Sequence, residues 1–177
     1  MELLAISGSL RQASTNTVLL KAASRLTSHG SQIRLYSDLN DLPHYNFDLE
    51  DNEPAPVKNL RKLVKECDGI IISSPEYAHG VPGSLKNALD WLVGCDAFVN
   101  KPVALFNASS RSTYAQASLI ETIKTMAGKV ISEACITISL LGKNIDEDGI
   151  VSSPQFAGQI SSAITTFISS IKAIKQS

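Results

Sequence analysis

The residues ISGSLRQASTN, positions 6–16, place one arginine among several hydroxyl and amide side chains directly after an apolar run. Ser9, Ser14 and Asn16 offer neutral hydrogen-bond donors, and Arg11 offers a charged one. A helix predicted to begin directly after Ser14 adds unpaired backbone N–H groups and the positive end of its dipole. This combination favours an anion, and a phosphate group is the ligand that suits it best.

A purely structural interpretation of this stretch stays open. Gly8 then makes a turn, and Ser14 or Thr15 caps the helix, while Arg11 is solvated. The sequence lacks a GxxxxGK[ST] loop and a GxGxxG stretch after the first strand, which argues against a P-loop nucleoside triphosphatase and a fixed dinucleotide site. No serine lies in a GxSxG motif, so a serine hydrolase is not favoured.

A second candidate segment is SSPEYAHGVPGSLKNALDW, which follows another apolar run. Pro75 restricts the backbone of this segment and Gly80 releases it. Between them, Glu76, Tyr77 and Ala78 present backbone N–H groups and an aromatic face. A loop surface of this kind suits a flat heteroaromatic ring, because it can stack on the ring and donate hydrogen bonds to the polar ring edge. Taken alone, Tyr77 is more often a packing residue than a ligand contact.

Five strands are predicted to position these segments. Residues 3–6, 69–72 and 102–106 are nearly unbroken apolar runs, typical of strands that are buried on both faces. Residues 32–36 and 130–138 mix polar and apolar side chains, as expected for strands nearer the sheet edges.

Helical patterns with one apolar stripe each alternate with the strands, at residues 19–26, 57–67, 85–92 and 156–174. A less regular helix over residues 113–127 is predicted to end at Gly128 as a left-handed cap. Pro82 and Pro154 suit first helical turns.

The alternation predicts a single α/β domain over residues 1–177, with a doubly wound parallel sheet covered on both faces. Five strands allow the flavodoxin-like order 2-1-3-4-5, in which the order reverses between the first and third strands. Ligands bind at such a switch point, beyond the carboxyl ends of the strands. The two candidate segments follow these two strands, so we expect them to converge there.

The two segments resemble the signatures of the NADPH-dependent FMN reductase family, which includes flavodoxin-like quinone, azo and chromate reductases. GSLRQASTN is similar to the phosphate-loop pattern GSxRxxSxN, and SPEYAHGVPGSLKNALDW is similar to PEYxxxxPGxLKNAxDW. LPHYNFDLE, residues 42–50, is like a segment often found between the second strand and second helix. The resemblance implies a bound FMN that passes hydride from NADPH or NADH to a quinone, azo dye, metal oxyanion or free flavin.

The resemblance also implies two groups of FMN-binding residues: Ser9, Arg11, Ser14 and Asn16 for the phosphate, and Pro75, Glu76, Tyr77 and Gly80 for the ribityl chain and ring. The N–H of Ala78 and the hydroxyl of Ser109 complete the predicted site. Glu76 is expected to act through its backbone N–H, with its side chain exposed or supporting the loop. The helix LKNALDW is expected to be core or a subunit contact. Because the flavin carries the chemistry, no catalytic side chain is predicted.

The loop after the fourth strand departs from the family pattern. Many relatives have a glycine-rich turn there, whereas residues 107–114, NASSRSTY, contain no glycine. Ser109 and Ser110 either donate to the flavin edge or serve capping and packing, and Tyr114 either covers the ring or packs. His79 in the second segment is either a proton donor or an exposed residue that shapes nicotinamide access.

The net charge of −1, without a cluster of lysines or arginines, disfavours a nucleic-acid or anionic-membrane partner. The cysteines, Cys67, Cys95 and Cys135, fit neither a disulfide framework nor a zinc site and are expected to be buried thiols. His29 and His44 lack partners at metal-ligand spacing, so no metal is predicted. Without a signal-peptide pattern or a long apolar stretch, we expect a cytoplasmic protein.

Two other functions stay open. A flavodoxin-type carrier exchanges single electrons with protein partners, but such carriers are usually strongly acidic and carry a TxTGxT loop, and this chain has neither feature. A flavin-free structural relative is the other alternative. Relatives are commonly homodimers or homotetramers, and the acidic segment 38–56 of a partner subunit is then expected to border the flavin. Residues 97–99 offer an apolar surface that suits either a subunit contact or internal packing.

Overall fold

The molecule is built on a parallel sheet in the order β2-β1-β3-β4-β5, with β6 also paired to β4. In this computed structural model, which describes residues 1–28, 30–140 and 142–176, the strands are β1 (Glu2–Ser7), β2 (Gln32–Tyr36), β3 (Gly69–Ser73), β4 (Pro102–Asn107), β5 (Lys129–Val130) and β6 (Ile136–Thr137). The predicted α/β class and flavodoxin-like strand order are confirmed.

The predicted fifth strand over residues 130–138 is wrong as a continuous element. β5 and β6 hold two residues each, and a short 3₁₀ helix, Ser132–Ala134, separates them. This detour buries Ala134 in the core on the α6 side of the sheet. The Leu105 N–H of β4, which a continuous strand would pair with a carbonyl, instead donates to the Cys135 sulfur at 3.3 Å.

Helices cover both faces of the sheet, as the alternation predicts. They are α1 (Thr15–Leu26), α2 (Ala55–Glu66), α3 (Gly83–Leu92), α4 (Thr113–Thr125), α5 (Glu147–Ser152) and α6 (Pro154–Gln176). Leu4 and Ile6 of β1 pack in the core with α2, α3 and α4, whereas Leu3 and Ala5 pack with α1, α5 and α6. This alternation follows from the two-residue period of a strand. Among the described residues, no helix combines the length and apolar character needed to cross a membrane.

The end of α4 corrects the expectation for Gly128. The left-handed residue is Ala127, with φ of 59°, and not Gly128. Gly128 is required for another reason, since an added Cβ would lie 2.7 Å from a ring carbon of Phe98 and 2.8 Å from Ile123. The glycine therefore serves close packing between α4 and its neighbours.

The acidic segment 38–56 is anchored to the helices behind the cleft by Arg61 of α2. The guanidinium donates to Glu50 at 3.0 Å, to Glu53 at 2.5 Å and to the Trp91 carbonyl at 2.7 Å. The Trp91 indole in turn donates to the Pro43 carbonyl at 2.8 Å. Trp91 is fully buried, which confirms that LKNALDW contributes to the core.

Because Arg61 holds two carboxylates and a carbonyl, Arg61→Met is expected to lower the free energy of unfolding by about 2–3 kcal/mol. Urea unfolding followed by the fluorescence of the single tryptophan measures this change. Lys62→Met is the matched control, because its ion pair with Glu66 is exposed and 3.8 Å long. The control is expected to stay within about 0.5 kcal/mol of the parent protein. Equal effects of the two changes would contradict the anchoring role of Arg61.

Candidate functional site

A cleft of about 440 Å³ lies beyond the carboxyl ends of β1, β3 and β4. Its walls come from the loop segments 9–16, 75–77 and 108–112, with Gly142 at one side. These segments follow the three central strands, so the parallel sheet itself brings them together. The volume falls in the range of about 300–1,000 Å³ that small-molecule sites occupy.

The first wall is the N-terminus of α1. Ser14 is its N-cap and is 4% exposed, and its hydroxyl accepts from the Thr17 N–H at 3.5 Å. Within the described residues, the N–H groups of Thr15 and Asn16 meet no acceptor, as expected for the first turn of a helix. Arg11 is exposed on the same wall. The cap expected from the structural interpretation is thus present, and the same residues leave donors for an anion.

Hydrogen bonds tie this wall to the end of β3. The Gly8 N–H donates to the Ser73 carbonyl at 2.8 Å, and the buried Ser73 hydroxyl donates to Asn16 Oδ1 at 2.9 Å. The Asn16 amide nitrogen therefore keeps its two donors. Gly8 is needed for this close approach, because an added Cβ would lie 2.8 Å from the Ser74 hydroxyl and 3.0 Å from Leu85.

The second wall contains a tight turn whose geometry corrects two expectations. Tyr77 and Gly80 exchange backbone hydrogen bonds of 3.1 and 2.9 Å, and the positive φ values, 49° and 60°, belong to Ala78 and His79. The expected conformational freedom at Gly80 is therefore not used, because the left-handed residues of the turn are Ala78 and His79. The Tyr77 N–H is used inside the turn and is not presented to the cleft. The Tyr77 side chain is 52% exposed.

The Glu76 carboxylate connects the second wall to α4. It accepts from the Ala115 N–H at 2.9 Å and pairs with His79 Nδ1 at 3.0 Å. Ser112, the N-cap of α4, makes no side-chain cap, so Glu76 supplies one from another loop. This backbone hydrogen bond lowers the pKa of the Glu76 carboxyl. The expectation that its side chain supports the loop agrees with these contacts.

His79 lies on the exposed side of that turn. Its side chain is 74% exposed, and its ring meets the Tyr114 ring edge-on at 4.4 Å between centroids. Neither residue lines the cleft. These positions agree with the interpretation of His79 as an exposed loop residue and of Tyr114 as a packing partner.

The third wall is the glycine-free loop after β4. Asn107, 5% exposed, accepts the Ser109 N–H at 3.0 Å, and the Ser109 hydroxyl accepts the Arg111 N–H at 3.2 Å. Ser109 thus caps the loop and also lines the cleft, whereas Ser110 does not line it. Arg111 also lines the cleft, and the two sequence motifs do not predict this position. Its signal is the S-x-R pattern after a buried strand, which Ser9 and Arg11 also show.

The structure brings together all predicted FMN-binding residues except two. Ser9, Arg11, Ser14, Asn16, Pro75, Glu76, Tyr77 and Ser109 line the cleft. Ala78 and Gly80 lie in the tight turn that the Tyr77–Gly80 bridge closes, and neither residue lines the cleft. The described residues contain no cluster of histidine, cysteine and acidic side chains that could hold a metal. His29 lies outside the described residues.

The sequence model of the NADPH-dependent FMN reductase family matches residues 1–140. Among curated proteins, the chain is 37% identical over 110 residues to the NADH:(hydroxy)cinnamate reductase subunit CrdA of Vibrio ruber, a match covering 62% of this chain and 54% of that protein. It is 31% identical over 113 residues to a quinone reductase of Escherichia coli, covering 62% and 60%. The matched region thus spans little more than half the length of these relatives.

Two solved structures show how far the fold is shared. FerB of Paracoccus denitrificans, described as a flavoenzyme NAD(P)H:(acceptor) oxidoreductase, superposes with a TM-score of 0.87 at 28% identity over 97% of each chain. Oxidised flavodoxin 1 of Bacillus cereus superposes with a TM-score of 0.61 at 14% identity, over 96% of this chain and 98% of that one. The second likeness concerns the fold alone.

The lowered pKa of Glu76 predicts a pH-dependent contribution to stability. A carboxyl whose folded-state pKa lies below its ordinary value of 4.5 stabilises the fold above that pH. The contribution is lost as the pH falls through the folded-state value. Glu76→Gln is therefore expected to lower the free energy of unfolding at about pH 7 and to have a smaller effect near pH 3.

Urea unfolding at the two pH values measures this difference. Glu121→Gln is the control. Glu121 is an exposed carboxylate on α4, the helix that Glu76 caps, and it caps nothing in the described structure. It is expected to change stability little at either pH. An effect of Glu76→Gln that is equally large at both pH values would show that the charge on the carboxylate is not what holds α4.

Proposed function

This chain belongs to the NADPH-dependent FMN reductase family, and on that premise we propose that it is an oxidoreductase that binds FMN and transfers hydride from NADPH or NADH to a small-molecule acceptor. The observation that carries this proposal is the cleft at the switch point of the sheet, where the start of α1 and the loop after β3 meet. Quinones are the acceptors that we propose first, since the Escherichia coli relative is named a quinone reductase. Azo dyes, metal oxyanions and free flavins remain further candidates.

The anionic end of FMN fits the first wall of the cleft. The unpaired N–H groups of Thr15 and Asn16, the Asn16 amide and the Arg11 guanidinium supply neutral and charged donors at the positive end of a helix dipole. We propose that Ser9 and Ser14 complete this phosphate site. No carboxylate lies on this wall to repel a phosphate.

The ring of FMN fits against the second and third walls. Within the described residues, the Glu76 N–H has no acceptor, and Pro75 before it has no N–H to satisfy. Glu76 is therefore proposed to donate this N–H to the ring edge, while its carboxylate keeps the loop fixed against α4. The exposed Tyr77 ring offers a face for contact, and the Ser109 hydroxyl keeps its proton as a further donor.

In the proposed reaction, FMN carries the chemistry and the protein supplies no catalytic side chain. When bound, FMN supplies the hydride-accepting and electron-donating chemistry. The protein orients the phosphate through α1, fixes the loop after β3 through Glu76, and leaves one side of the cleft open. His79, outside the lining, is not required as a proton donor in this scheme.

We further propose that the chain works in the cytoplasm as a homodimer or homotetramer, in which the 38–56 segment of a partner borders the FMN. Three exposed apolar side chains support a contact between copies: Phe47 is 77% exposed, Val93 63% and Val99 51%. The free thiols of Cys67, Cys95 and Cys135 suit a reducing compartment. The expectation that all three are buried is wrong for Cys95 and Cys135, which are half-buried, whereas Cys67 is buried.

The proposal is tested with the purified protein. We expect a yellow protein with one FMN per chain, which NADPH or NADH bleaches, and steady NAD(P)H oxidation in the presence of a quinone. Because both substrates are proposed to alternate in one cleft, initial-rate plots are expected to be parallel. Failure to take up FMN would favour a flavin-free relative. FMN binding without steady NAD(P)H turnover would favour a single-electron carrier.

Arg11→Ala is expected to weaken FMN binding by about 1.5–3 kcal/mol, the scale of a charged hydrogen bond, with the lower end favoured because Arg11 is exposed. Fluorescence titration of the apoprotein with FMN measures this change. Arg34→Ala removes an exposed arginine on β2, outside the cleft, and is expected to leave FMN affinity unchanged. Equal FMN affinities of Arg11→Ala and the parent protein would place the phosphate elsewhere.

A further inference from the structure

A second arginine lies in the cleft. Arg111 lines the third wall, and within the described residues its guanidinium makes no hydrogen bond or ion pair. Of the described residues that line the cleft, only Glu76 is a carboxylate, and it is already engaged with Ala115 and His79. Arg111 therefore presents an uncompensated positive charge to the cleft.

The backbone of Arg111 is held in place although its side chain is exposed. Its N–H donates to the Ser109 hydroxyl at 3.2 Å, and its carbonyl accepts from the Thr113 N–H at 3.0 Å. Ser109 is itself fixed to the buried Asn107 at the end of β4. The base of the side chain is thus anchored to the sheet, while the guanidinium stays available to a ligand.

Arg111 belongs to a different loop from the proposed phosphate site. Arg11 and the start of α1 follow β1, whereas Arg111 follows β4, and β3 lies between these two strands. The α1 wall already combines one guanidinium with two unpaired N–H groups. A separate cation on another wall is available to the second molecule that must enter the cleft.

Aromatic surface accompanies this charge. Tyr77, on the loop after β3, lines the same cleft and is 52% exposed. An exposed aromatic face in the same cleft as a guanidinium suits a flat ring that carries an acidic group, because the ring stacks while the guanidinium pairs with the anion.

We propose that Arg111 selects planar aromatic electron acceptors that carry a carboxylate or sulfonate, with Tyr77 in contact with the acceptor ring. The inference rests on the proposed function and specifies its acceptor. Reduction of such a quinone by NAD(P)H and one proton gives the hydroquinone and NAD(P)⁺. The anionic substituent takes no part in this exchange, and Arg111 acts in binding only.

The kinetic test compares a sulfonated and a neutral acceptor, 1,4-naphthoquinone-2-sulfonate and 2-methyl-1,4-naphthoquinone. We expect the ratio of their kcat/KM values, sulfonated over neutral, to fall about tenfold in Arg111→Ala, the scale of one partly exposed charged hydrogen bond. Arg111→Lys keeps the charge and is expected to restore part of the ratio. Arg34→Ala, outside the cleft, is expected to leave the ratio unchanged.

A binding measurement tests the same inference without turnover. Anthraquinone-2-sulfonate titrated calorimetrically into the oxidised FMN-loaded protein is expected to bind about tenfold more weakly to Arg111→Ala. The affinity of the apoprotein for FMN is expected to stay the same. A weaker FMN affinity in Arg111→Ala would overturn the inference, because Arg111 would then belong to the phosphate site.

Two further results would overturn the inference. If Arg111→Ala raises KM for NADPH but not for NADH, with both acceptors alike, the arginine binds the 2′-phosphate of NADPH. If the acceptor ratio and the sulfonate affinity stay unchanged, Arg111 is merely solvated. A parent protein that oxidises NAD(P)H with neither quinone would refute the proposed function, whereas the titration would still report on Arg111.

Discussion

The hydrogen bonds between the end of β3 and the start of α1 are the contacts on which the site depends. Gly8 donates to the Ser73 carbonyl, and the Ser73 hydroxyl donates to Asn16, so the helix terminus is fixed against the central strand. The side chains of Ser73 and Asn16 are buried, and a polar group without a hydrogen-bond partner would be costly there. Unpaired N–H groups at a helix start attract anions only if they are held in place, and these bonds hold them there.

A side-chain hydrogen bond also fixes the second wall of the cleft. Glu76 caps α4 from the loop after β3, and one carboxylate thereby orders two loops that are distant in sequence. The arrangement also engages the one acidic side chain found among the lining residues in the described part of the chain. Although the chain as a whole carries a net charge of −1, Arg11 and Arg111 leave the cleft locally positive. The distribution of charge, more than its sum, therefore governs which ligands the protein attracts.

Much of the fold could be predicted because buried parallel strands and amphipathic helices leave strong periodic patterns. The short strands β5 and β6 at the sheet edge could not be predicted in this way. The break between β5 and β6 depends on Ala134 packing into the core and on the Cys135 sulfur accepting the Leu105 N–H, and neither contact has a local signature. The left-handed residue after α4 is Ala127, and the next N–H, that of Gly128, closes the helix by donating to the Ile123 carbonyl, whereas Gly128 itself is required for close packing against Phe98.

By itself, the sequence determined the class of fold, the two loop segments and the family, because these depend on local periodicity and on contiguous motifs. Only the tertiary structure decided what each loop residue does: Ala78 and Gly80 leave the cleft, the Glu76 side chain turns to α4, and Arg111 enters the lining. The physical reason is that hydrogen-bond partners and unpaired charges are set by neighbours remote along the chain. Such neighbours meet only when the parallel sheet brings the ends of its strands together.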